Sequence, residues 1–140
     1  MKYKKSGQNY LVRIDKGEFF PDKLIEFAER NDIKSADVKG IGAVQNPKLS
    51  CYLPDEKDYV EKELIGDFEI LSLLGNIALK EGKAYPHFHV SLSDQAFKGY
   101  GGHLQRCEIT GTLELFVQPI EIDLHRRFDD ETNLQIWDID

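Results

Sequence analysis

Pro86-His87-Phe88-His89-Val90-Ser91-Leu92-Ser93-Asp94, followed after a short connection by Gly99-Tyr100-Gly101-Gly102-His103-Leu104, is the stretch on which the fold turns. Apolar and polar residues alternate in its first half. Ser93-Asp94 before the connection and three glycines after it predict a β-hairpin. It carries three of the chain's four histidines, His87, His89 and His103. Two apart on a strand, His87 and His89 project from one face, about 7 Å apart at the backbone. His89 and His103 are equidistant from Ala96. If the hairpin is symmetric about Ala96, these two face each other and His87 becomes the diagonal neighbour of His103. A slip of one residue would send His103 to the other face. Three imidazoles on one patch are the usual protein half of a divalent-metal site with an open coordination position. The competing reading is three ordinary surface or cross-strand packing histidines.

The apolar phase raises a conflict. His103 is in phase with Cys107, Ile109, Leu113, Leu115 and Val117, whereas His87 and His89 are out of phase with Phe88, Val90 and Leu92. Convergence then needs a bulge, for which Gly99–Gly102 is the natural place. Otherwise both faces of the sheet are covered, one by a helix and one by another subunit.

Upstream, Tyr10–Ile14 alternates as a strand and Lys16-Gly17-Glu18 is a turn. A helix is predicted over about residues 20–31. Pro21 and Asp22 lie at its start, Leu24, Phe27 and Ala28 form one stripe with Phe20 a turn earlier, and Asn31-Asp32 ends it. Strands are then expected at Ala36–Val44, Lys48–Leu53, Tyr59–Ile65, Phe68–Leu79, His103–Val117 and Ile120–Leu124, with a turn at Asn46-Pro47. Gly40-Ile41-Gly42 suggests a bulge or a close backbone approach, and Gly75-Asn76 a bent central strand. One helix among about eight strands is an α+β fold, a single compact domain over residues 1–140 built on a mostly antiparallel sheet.

The 140 residues carry a net charge of −7, with no apolar run of membrane-spanning length and no apolar segment after the N-terminal lysines. A membrane span and a signal peptide are therefore not expected, and a cytoplasmic protein is. Cys51 and Cys107 are far apart and read as free thiols. The negative charge disfavours autonomous DNA binding, because the only basic clusters are Lys2/Lys4/Lys5 and Arg126/Arg127. Glu69 interrupts an apolar run and is the carboxylate to place near a metal, although the solvent face of a strand is the better explanation of it. Arg13 and Arg127 are candidate anion holders, with surface ion pairing as the bland alternative. His125 reads as an ordinary surface residue.

Lys16-Gly17-Glu18, Gly40–Val44, Glu69–Asn76, His87–Asp94 and Gly101–Leu104 together resemble the plants-and-prokaryotes conserved (PPC) domain, in order and over nearly the whole chain. The likeness is to the stand-alone prokaryotic members, which keep the histidines; plant members largely replace them and add AT-hook segments. The resemblance implies a homotrimer and a fold similar to α-acetolactate decarboxylase, whose zinc is held by three histidines. Carried over by motif, the ligands here are His87, His89 and His103, zinc is the expected metal, and a small carbonyl or carboxylate compound is the expected ligand. An assembly module is the alternative. The DNA-binding label common in the family derives from the AT-hook, and this chain has no Arg-Gly-Arg-Pro core. Asn133 stands where the family usually has glycine; asparagine tolerates the left-handed conformation, so the turn is expected to survive.

Overall fold

The computed structural model describes residues 1–139. Its strands are β1 (Lys2–Ser6), β2 (Asn9–Asp15), β3 (Phe19–Phe20), β4 (Ala36–Leu53), β5 (Asp58–Glu63), β6 (Asp67–Lys80), β7 (Lys83–Ser93), β8 (Gly99–Pro119), β9 (His125–Asp129) and β10 (Leu134–Asp138). The helix α1 spans Asp22–Arg30.

Four long strands close on themselves. β8 pairs with β4, β4 with β6, β6 with β7, and β7 returns to β8. β2, β3 and β5 extend the sheet from the ring. The inward faces supply the core, led by Val38, Leu73, Ile77, Phe88, Ile109 and Leu113. The expected stripe of α1, Leu24, Phe27 and Ala28, joins the same core together with Phe20, whose ring meets Phe88 edge-on at 5.0 Å.

The close approaches implied by the glycines are real. A side chain at Gly40 or Gly42 would run into the β8 backbone, and one at Gly75 into the carbonyl of His87 on β7. β4 also shifts register between Gly40 and Gly42.

Three details differ from the expectations. Ala36–Leu53 is one strand, not two: Asn46 takes a left-handed conformation at φ 46°, and Asn46-Pro47 forms an irregularity inside it rather than a turn. Lys2–Ser6 is a strand, antiparallel to β2. Ile120–Leu124 is not a strand, despite its alternation. Its polar backbone is satisfied elsewhere, Ile120 N donating to the Ser35 carbonyl and Leu124 N to Ser35 Oγ.

That last arrangement positions the chain's end. Leu79 N donates to the Leu124 carbonyl, and Leu79 pairs in parallel with His125. The β9–β10 hairpin is thereby laid beside β6. Asn133, at φ 57°, makes its tight turn as expected for a residue in a glycine position.

Candidate functional site

The β7–β8 hairpin has the symmetric register. His89 is paired with His103, and Ser93 with Gly99. On the other side of β7, His87 pairs with Asn76 and His89 with Leu74. The three imidazoles gather on the face opposite Phe88, Val90 and Leu92. Ring centroids are 5.3 Å apart for His87–His89, 4.9 Å for His87–His103 and 5.6 Å for His89–His103.

The phase conflict is resolved by a bulge, but one placed after His103 instead of at Gly99–Gly102. Lys48 pairs with Arg106 and Leu49 with Leu104, so Gln105 is the extra residue on β8. The alternation flips there. Leu104 and Cys107 are both buried, and His103 stays with the other two histidines on the outer face.

Each of the three offers one ring nitrogen to a group of atoms lying within 4.8 Å of one another. A tetrahedral site with bonds of about 2.0–2.1 Å needs nitrogens about 3.4 Å apart. The residual gap is of the order that rotation about the broad χ2 torsion of histidine closes. Two of the three rings are held unprotonated. Burial holds His87 down at about 4, with the charges of Arg126, His103 and His89 acting in the same direction. Burial, then His89 and Arg126, lowers His103. Both rings are therefore neutral at pH 7, with a lone pair to give.

The β9–β10 hairpin adds a cation of its own. Arg126 Nη1 donates to the Gln135 carbonyl at 2.7 Å, and Nη2 reaches Asn76 Oδ1 at 2.8 Å and His87 Nδ1 at 3.2 Å. Its guanidinium lies 5.2 Å from the centre of the Tyr85 ring. Burial draws its pKa down, yet a guanidinium stays charged. Tyr59 closes the other side, its ring 5.9 Å from that of His103. A cavity of about 510 Å³ opens between these groups and Leu134, Ile136 and Trp137. A second, of about 620 Å³, lies against His87 and His89 and is lined also by Asp37, Leu74, Ile120, Ile122 and Trp137.

The other candidates lie elsewhere. Glu69 pairs with Ser93, five residues along β6 from Leu74, about 17 Å away at the rise of an extended strand. Arg13 is ion-paired to Asp15 at 2.7 Å, and Arg127 approaches Asp138 at 3.7 Å. His125 is exposed. The functional residue that sequence reasoning missed is Arg126. Neighbours on a strand point to opposite faces, so only one of Arg126 and Arg127 can face the sheet; which one depends on where β9 docks, and that is set by Ser35 and Leu79.

A closed, mostly antiparallel β-sheet with one helix, bearing three converging histidines on its outer face, defines the class of protein. The chain belongs to the family of the Plants and Prokaryotes Conserved (PCC) domain, which it matches over residues 1–121. Among solved structures, a metal-containing protein from Archaeoglobus fulgidus is 37% identical, over 98% of this chain and 99% of that one, with a TM-score of 0.88. A plant- and prokaryote-conserved protein from Pyrococcus horikoshii is 30% identical over 99% and 95% of the two chains, with a TM-score of 0.87. One from Bacteroides thetaiotaomicron, named a "putative DNA binding protein", is 28% identical over 98% and 96%, with a TM-score of 0.94. No curated protein matches the chain. Among the described residues, no helix is long and apolar enough to cross a membrane.

Proposed function

We propose that this PCC-domain protein is a cytoplasmic homotrimer in which His87, His89 and His103 hold a divalent metal, zinc by the donor set, with an open position facing a small carbonyl or carboxylate ligand. The observation that carries the reading is the convergence of three imidazole nitrogens within 4.8 Å on one face. Three imidazole donors with no carboxylate among them match a borderline-soft ion that keeps one position open. The metal-containing relative from Archaeoglobus fulgidus supports it. When bound, such an ion supplies Lewis acidity at its open position. The chain's residues do the rest: pairing with Asn76 on β6 fixes the backbone that carries His87, and Leu134, Ile136 and Trp137 restrict water at the cavity.

The trimer is supported by apolar side chains left on the outer face. Leu11, Phe116 and Leu74 are exposed on β2, β8 and β6, joined through Lys39 of β4 in one cross-strand row that reaches His89. This row also favours the alternative reading, an assembly module whose histidines are structural.

Metal analysis of protein purified without a histidine tag separates the two. One equivalent per chain, lost in His89→Ala, supports the metal reading. A metal-free wild type whose stability is indifferent to added zinc and to chelator would leave assembly as the function.

A further inference from the structure

We propose that Arg126 and its cavity bind a small organic carboxylate bearing an apolar substituent, the carboxylate on the guanidinium and the substituent against Leu134, Ile136 and Trp137. This deepens the metal reading, whose site it adjoins, by assigning the ligand class and the residue that selects it.

Arg126 is half-buried, and no carboxylate pairs with it among the described residues. Its hydrogen-bond partners are a carbonyl, an amide oxygen and a ring nitrogen, and its buried Nε has no partner among the described residues. Withdrawing a cation from water without a counter-charge is costly, and a bound anion removes that cost. The surroundings agree. Among the described residues, no aspartate or glutamate lines this cavity, although the chain as a whole carries −7. A divalent metal held by the three imidazoles would add to the positive charge. The planar fork of arginine suits a carboxylate, and the phenols of Tyr59 and Tyr85 are further donors at the cavity wall. A volume of about 510 Å³ whose lining includes Leu134, Ile136 and Trp137 accommodates a small molecule with an apolar end.

Lone-pair counting links the two sites. Arginine only donates, so the contact with Arg126 Nη2 uses the Nδ1 lone pair of His87 and leaves the proton on Nε2. A metal taken at Nδ1 displaces the guanidinium. A metal taken at Nε2 moves the proton to Nδ1, which then no longer accepts. Either way metal loading frees Nη2, and carboxylate and metal favour each other's binding, reciprocally.

Trp137 is the chain's only tryptophan and lines the cavity, so its fluorescence reports occupancy. The untagged protein, stripped with chelator or loaded with zinc, is titrated with isobutyrate, with its neutral isostere isobutyramide and with inorganic phosphate. The expected result is a carboxylate preference over the amide of about tenfold or more, strengthened by zinc. It is lost in Arg126→Gln, partly restored in Arg126→Lys and unchanged in Arg127→Gln. Equal affinity for acid and amide, preference for phosphate, or full retention by a folded Arg126→Gln overturns the proposal. If Arg126→Gln does not fold, the wild-type comparison of acid with amide decides it. If the chain takes up no zinc, the metal reading falls, while the titration of the stripped protein still decides the carboxylate site.

Discussion

His89 and His103 stand directly opposite each other across β7 and β8, and the Gln105 bulge keeps His103 on that face although the strand beyond it reverses phase. Without the bulge, the apolar alternation of β8 would turn the His103 ring into the core and divide the cluster.

The depressed pKa of His87 makes stability depend on pH in a definite sense. As pH falls below the ordinary value of 6.5, the unfolded chain takes up a proton at this position, whereas the folded one does not until about 4. Unfolded protein binds more protons throughout that window, so stability falls as pH falls from 6.5 to about 4 and is unaffected by His87 above it. Denaturant unfolding of the metal-free protein at a series of pH values should show this slope, and His87→Gln should flatten it. Identical slopes for the two proteins would contradict the assignment.

Gly75 is required by the crossing of β6 and β7. A methyl group there would collide with the carbonyl of His87, so Gly75→Ala should cost about 1–3 kcal/mol or more and displace β7 where it carries the histidines. Thermal unfolding and zinc affinity should fall together. A variant with wild-type stability and affinity would show that the strands separate more easily than their packing implies.

The two thiols should behave oppositely. Cys51 is exposed, while Cys107 is buried and its thiol is pushed up to about 12 by burial. A thiol reagent at neutral pH should label one cysteine per native chain, identified as Cys51 by peptide mapping, and both after denaturation. Rapid labelling of Cys107 in native protein would indicate opening of the β3–β8 region.

DNA binding is not expected, in spite of the name carried by the Bacteroides relative. The chain's charge is −7, and its lysine cluster on β1 is confined to Lys2, Lys4 and Lys5. Gel-shift titration with duplex DNA at physiological salt should show no complex. A shift that weakens steeply as salt rises would establish the contrary.

How far the sequence reaches is seen in particular residues. The stripe Leu24, Phe27 and Ala28 located the helix because its partner, the core, imposes only a period. The symmetry about Ala96 located the histidine register because a hairpin is a local object. Asn133 was legible through its own backbone preference. What escaped depends on distant partners. Asn46-Pro47 carries a turn signal, but pairing with β8 on one side and β5 on the other carries the strand through it. Ile120–Leu124 alternates, but Ser35 takes its backbone bonds. Arg126 enters the site only because Leu124 and Leu79 dock β9 beside β6, a contact 45 residues apart that no local pattern records.

The central claim is that His87, His89 and His103 grip one cation. The most direct test is a crystal structure of untagged, zinc-supplemented protein with anomalous data collected on both sides of the zinc edge. The account predicts one peak per chain, present only above the edge, about 2.0–2.1 Å from a nitrogen of each ring. No peak there, or a peak reached by fewer than all three rings, would contradict it.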